Sequence, residues 1–211
     1  MPDFGPLTAL YFVISVVPAM LLHELAHGWV AERRGDLTPR RMGRMTLQPR
    51  PHVDVFGSII VPALLLLPVL FGRAGLAFGY SKPMPIEPGN LRDPDRDMTW
   101  IALAGIAANL LLAAVGGVAY RLVGPAGALG DFLFIWVFTN ALMAVFHLIP
   151  LPPFDASRIL ARFLPPRARS VYESWQPYGA LFVLVIVFVI PAPILGIVYS
   201  VVGGLLDLLV G

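Results

Sequence analysis

"LLHELAHGWVAERRG" (residues 21–35) sets two histidines and a glutamate inside an apolar run that extends from about Leu7 to Val30. Apart from His23, Glu24 and His27, that run carries no Asp, Glu, His, Lys or Arg. It is long enough to cross a bilayer, which takes about 20 apolar residues. Ionisable groups within a span are costly, so they face inward and mark functional sites. On a helix, positions 23 and 27 share one face about 6 Å apart along the axis, so both imidazoles can reach one metal ion. Glu24 then stands beside that metal, where a carboxylate can take a proton from an activated water. The alternative for these residues is a polar cluster that glues helices together. Pro18 is expected to free the carbonyl of Ile14 and kink the helix.

The remaining composition agrees with a membrane setting. The 211 residues are 57% hydrophobic and 13% charged, with mean hydropathy +0.77. A soluble domain would carry about a quarter charged residues. The chain has no cysteine, which excludes disulfides and thiolate metal sites, so any metal must take His, carboxylate or water. Residues 1–6 lack the basic start of a signal peptide, and none is expected. A single domain over 1–211 is expected, without repeats.

Apolar segments fall at about 7–30, 55–71, 99–120, 132–150 and 178–210, the last broken into two helices by Pro191 and Pro193. A full span at 55–71 would leave basic residues nearly even on the two sides. A re-entrant segment over 55–79 instead puts all Lys and Arg on one side except Arg73 and Arg121. The positive-inside rule therefore favours re-entry, with the N-terminus outside. Pro62, Pro68, Gly72, Gly75 and Gly79 supply the breaks.

Two imidazoles are too few for zinc, which takes three protein ligands and a water at catalytic sites. The candidates in the apolar segments are His147 and Asp155, in "FHLIPLPPFDASRIL" (146–160). Pro150, Pro152 and Pro153 break the helix just before Asp155 and can swing its carboxylate toward a partner helix. Its alternative role is an N-cap for "ASRILARF". Opposite HELAH, the ligand reading is favoured.

HELAH, "LAGIAANLLLA" (103–113) and "NALMAVFHLIPLPPFDASRIL" (140–160) together resemble the site-2 protease family of intramembrane zinc metalloproteases. The segments 43–66 and 79–98 resemble its short prokaryotic members, which lack a PDZ or CBS domain. The resemblance implies one zinc per chain held by His23, His27 and Asp155, with Glu24 as general base. It also implies that Asn109 positions substrate or the oxyanion; an interhelical hydrogen bond, with Gly105 and Ala108 allowing close approach, is the alternative. The family usually has Asn where this chain has His147, and Gly where it has Ala156. His147 is a fourth ligand, a proton shuttle or a hydrogen-bond donor replacing the amide, the last being favoured. Ala156 lacks glycine's access to positive φ, so the local turn can differ. His52 is by default a surface or turn histidine.

The expected fold is an all-α polytopic membrane protein. Three core helices (7–30, 99–120, 132–150) surround a buried zinc, and a re-entrant, membrane-associated β element and C-terminal helices complete it. The β element rests on the alternation in R-M-T-L-Q (44–48), facing "YSKPMPI" (80–86) and offering an edge to a substrate strand. The expected activity is zinc-dependent hydrolysis of peptide bonds in or near transmembrane segments, with Asn109, Asn140 and His147 lining a polar route. A metal-binding transporter or channel, and an inert helix-binding relative, are the alternatives. Expected partners are transmembrane substrate segments and the lipid bilayer of a cell membrane, with no nucleic acid. The active site is expected toward the cytoplasmic side.

Overall fold

Apolar stretches bounded by charged or Pro/Gly-rich ends set the helices. The computed structural model describes residues 6–60, 63, 81–188 and 191–211. In chain order the helices are α1 (Pro6–Arg34), α2 (Thr38–Arg41), α3 (Pro94–Val123), α4 (Gly127–His147), α5 (Ala156–Phe163), α6 (Pro166–Glu173), α7 (Gly179–Phe188) and α8 (Pro191–Val210). Among the described residues, α1, α3 and α4 are long and apolar enough to cross a membrane. The protein is an all-α polytopic membrane protein.

Helix ends explain why α1 and α3 outrun their apolar cores. Arg33 and Arg34 occupy the last turn of α1, where cations suit the helix dipole. Asp93 caps α3 by accepting from the Arg96 N–H at 3.2 Å, Pro94 takes the first position, and Asp95 and Asp97 fill the first turn. Pro18 lies inside α1, which nevertheless runs unbroken from Pro6 to Arg34.

α1 packs on α3 and α4, and α4 packs on α3 and α8. Where lipid supplies no hydrophobic drive between helices, close approach of small residues matters. Ala102, Gly105, Ala113, Gly116 and Gly117 provide it on α3. A Cβ on Gly117 would lie 2.9 Å from the Leu209 carbonyl. Phe138, Leu142, Val145, Val183, Ile186, Val198 and Val202 form a second core between α4, α7 and α8. Leu10 and Ile14 of α1, and Leu111 and Val115 of α3, remain exposed as a lipid-facing exterior would require.

Ion pairs gather at one end of the bundle. Arg34 meets Asp97 at 3.3 Å, Arg169 meets Asp95 at 2.7 Å, and Arg40 meets Glu32 at 2.9 Å. Fully buried Asp36 lies at this end and accepts from Thr38 N–H at 3.0 Å, Glu87 N–H at 2.8 Å and Asn90 Nδ2 at 3.0 Å. Burial pushes the Asp36 carboxyl up, but these hydrogen bonds outweigh it and hold it below the usual carboxylate value. Arg92 N–H donates to Arg34 O at 3.2 Å. The chain therefore leaves α1 and returns to the same end before starting α3.

The expected β element is absent: no strand occurs among the described residues. Residues 45–47 form bends between irregular residues 44 and 48, because polar groups there are taken locally. Gln48 N–H bonds Thr46 Oγ1 at 3.2 Å, and the Thr46 carbonyl faces His52 Nε2 at 3.1 Å. The period-two alternation of these five residues does not correspond to a strand here. Within the expected re-entrant segment, Val55–Ile60 is one wide helical turn; 61–62 and 64–80 lie outside the described residues. The expected division of 178–210 appears as α7 and α8, with Pro191 opening α8.

Candidate metal centre

Positions 23, 24 and 27 fall in the second half of α1, toward its basic end, and α3 covers the imidazoles. Gly105 makes this possible: a Cβ there would lie 2.5 Å from His27 Cε1 and 2.6 Å from His23 Cε1. His27 Nδ1 donates to the Ile101 carbonyl at 2.6 Å. His23 Nδ1 donates to Asn109 Oδ1 at 2.6 Å. The direction of that bond follows from its neighbours. Asn140 Nδ2 donates to the Trp136 carbonyl at 2.9 Å, so Asn140 Oδ1 accepts from Asn109 Nδ2 at 3.1 Å. Asn109 Nδ2 also lies 3.3 Å from Ala19 O. Carbonyls only accept, so the chain of amides can run one way only.

Both imidazoles consequently carry their proton on Nδ1 and turn a bare Nε2 lone pair inward. The two Nε2 atoms are 2.9 Å apart. Asp155 joins them: Oδ2 is 3.1 Å from His23 Nε2, and Oδ1 is 3.3 Å from His27 Nε2. Asp155 stands at the N-cap position of α5 but makes no capping hydrogen bond. The prolines before it end α4, and Phe154 is buried beside Phe146, which turns the carboxylate toward α1. His147, the last residue of α4, places Nδ1 2.8 Å from Asp155 Oδ2 and its ring 4.1 Å from that of His23.

Three electron-pair donors aimed at one point repel one another unless a cation lies between them. Zinc with N and O ligands at about 2.0–2.1 Å sets tetrahedral ligand atoms about 3.3 Å apart. The observed 2.9, 3.1 and 3.3 Å spacings are close to that. The donor set is all N and O, and each His is anchored through its second nitrogen, as zinc-binding imidazoles are. The residues present therefore fit a zinc ion.

Glu24 lies beside the imidazoles and lines the same cavity. Ser81 Oγ donates to Glu24 Oε1 at 2.8 Å, while buried Oε2 has no partner among the described residues. A cavity of about 300 Å³ is lined by His23, Glu24, His27, His147, Asp155 and Ser81, with Phe12, Val16, Leu142 and Phe146 as apolar wall. Of the three polar-route candidates, His147 lines this cavity; Asn109 and Asn140 are fully buried behind the imidazoles. His52 is in a turn, as expected, but buried rather than at the surface. Burial lowers its pKa, and the nearby Arg44 charge adds to this. Ala156 begins α5 in ordinary helical conformation; among the described residues only glycines have positive φ. Ser81 and Arg44 escaped the sequence reading, since nothing local ties position 81 to a glutamate 57 residues earlier.

No family model matches the chain, and no solved structure does. Among curated proteins, "Putative zinc metalloprotease YwhC" of Bacillus subtilis (strain 168) is 33% identical over 190 residues, covering 86% of this chain and 81% of that protein. "Putative zinc metalloprotease Rip2" of Mycolicibacterium smegmatis is 27% identical over 173 residues, covering 80% of this chain and 62% of that longer protein. Identity at this level over most of both lengths, around a site suited to zinc, shows that the chain belongs to the zinc metalloprotease family of YwhC.

Proposed function

We propose that this protein is a zinc-dependent intramembrane endopeptidase of the site-2 protease type. The observation that carries the reading is the convergence of His23 Nε2, His27 Nε2 and the Asp155 carboxylate, with both histidine tautomers fixed from behind. His23, His27 and Asp155 hold one zinc per chain. Zinc, when bound, supplies Lewis acidity to a carbonyl oxygen and acidifies a water. Glu24 is the general base: its unpartnered Oε2 takes the proton and passes it to the leaving amine. His147 donates to Asp155 and orients it. Asn109 and Asn140 fix the His23 tautomer from behind, and substrate contacts fall to the cavity wall.

The substrates are transmembrane segments of other membrane proteins, which reach the site from the bilayer. The whole of 1–211 acts as one domain in a cell membrane. His27 pairs with Ile101, two turns into α3, whose first turn forms the ion-paired end with Arg34. That basic end faces the cytoplasm by the positive-inside rule, so the site lies toward the cytoplasmic side.

The test is metal analysis of purified protein paired with cleavage of a model membrane substrate. One zinc per chain and cleavage that chelation stops are expected. Glu24→Gln should keep its zinc and lose activity; loss of zinc in that variant, or retained cleavage, overturns the assignment.

A further inference from the structure

Glu24 and Gly28 are one helical turn apart, so they share a face of α1 away from the α3 contact. That face is covered by two pieces of chain. Met45 and Met84 close over Gly28, where a Cβ would collide with Met45 Sδ and come within 3.3 Å of Met84. Ser81 lies one turn further along, with its hydroxyl on Glu24 Oε1 at 2.8 Å. The backbone of the next residue, Lys82, is held at both its N–H and its carbonyl. Its N–H donates to the His52 carbonyl at 2.8 Å, and its carbonyl accepts from Arg44 Nη2 at 2.6 Å.

Arg44 is 5% exposed and His52 is 4% exposed. Burying a guanidinium is costly unless it serves a strong partner. Among the described residues, Arg44 forms no ion pair with any carboxylate; its guanidinium donates to the Lys82 carbonyl. Burial lowers the Arg44 pKa, and the Glu24 charge only partly offsets it. A carboxylate with two free oxygens could rotate. One donor on Oε1 removes that freedom and leaves Oε2 for proton transfer.

We propose that Ser81 is a positioning residue that orients the Glu24 carboxylate, and that Arg44 and His52 hold Ser81 in place by gripping the Lys82 backbone at its carbonyl and its N–H. This rests on the reading of Glu24 as general base. A hydrogen bond to a charged group, once lost from a reacting geometry, costs about tenfold in rate.

Two measurements test it on the full chain. The first is turnover of a membrane substrate. Ser81→Ala should lower kcat about tenfold with KM and zinc content unchanged, and Ser81→Thr should restore most of the rate. Arg44→Met should slow turnover in the native background but add little in Ser81→Ala, because it acts through Ser81. The second uses zinc-free protein and needs no activity. The chain has no cysteine, so Ser81→Cys gives one thiol for alkylation by a water-soluble maleimide. Adding Arg44→Met should speed that labelling severalfold. Full kcat in Ser81→Ala, or labelling indifferent to Arg44, overturns the proposal. The base assignment fails separately: an active Glu24→Gln removes it, whereas inactive Glu24→Gln with full-rate Ser81→Ala removes only the positioning role.

Discussion

The two faces of α1 at the site are built on opposite terms. Toward α3 and α4, the groups that hold the imidazoles are bonded in series: His27 with Ile101, His23 with Asn109, Asn109 with Asn140, Asn140 with Trp136. Toward the covering loops, Glu24 Oε2, Arg44 Nε and His52 Nδ1 are buried with no partner among the described residues. A fully bonded network in low dielectric is rigid, and an incomplete one is costly. The first face suits a fixed ligand set. The second suits groups that must exchange protons and partners during a reaction.

Breaking the rigid face should have the largest effect. In Gly105→Val the Cβ alone would reach both imidazoles, whose rings are pinned and cannot yield. Zinc should be lost from purified protein, and overpacking should destabilise the bundle by about 1–3 kcal/mol. Metal analysis and thermal melting check this; stoichiometric zinc in that variant would show that the α1–α3 contact is softer than argued. Next comes Asn109→Ala, which frees the His23 tautomer and leaves Asn140 Oδ1 without its donor. Zinc affinity should fall by about 10–100-fold, read by competition with a chelator, while the helical content holds.

The smallest effect belongs to the ion-paired end, where Asp36 ties down the loop. Asp36→Asn weakens the junction of 36–38 with 87–90 and should cost about 1 kcal/mol at neutral pH. The folded Asp36 carboxyl titrates below its ordinary 3.8. Its contribution is therefore complete above the unfolded pKa and lost as pH falls through the folded value. The gap in melting temperature between wild type and Asp36→Asn should be full at pH 7 and narrow below pH ~4. A gap that stays constant into acid would assign the effect to shape and not to charge.

The rigid face was largely legible in the sequence, because its information is local. His23 and His27 sit four apart on one apolar helix, and helix geometry alone pairs them. Asp155 needed more, since an aspartate before "ASRILARF" reads equally as a cap; the proline break and the lack of a rival carboxylate favoured the other reading, and the side chain indeed makes no cap bond. The three spans were visible as apolar runs, although their charged ends were not, because dipole and capping effects extend helices into polar sequence. The loop face was illegible. Alternation at 44–48 suggested a strand, but local side-chain bonds and burial of Arg44 and His52 set those residues instead. Ser81 met Glu24 through a long excursion that no pattern encodes.

That excursion is closed by two clasps, His52 O to Lys82 N–H and Asp36 to Glu87 and Asn90. The two clasps fix the count of residues between them, so one residue inserted between Lys82 and Glu87 would put them out of step. Ser81 stands directly before the first clasp, so a slip there would carry its hydroxyl off Glu24. Length among relatives should therefore hold across 81–90, making that stretch the seam that cannot be let out.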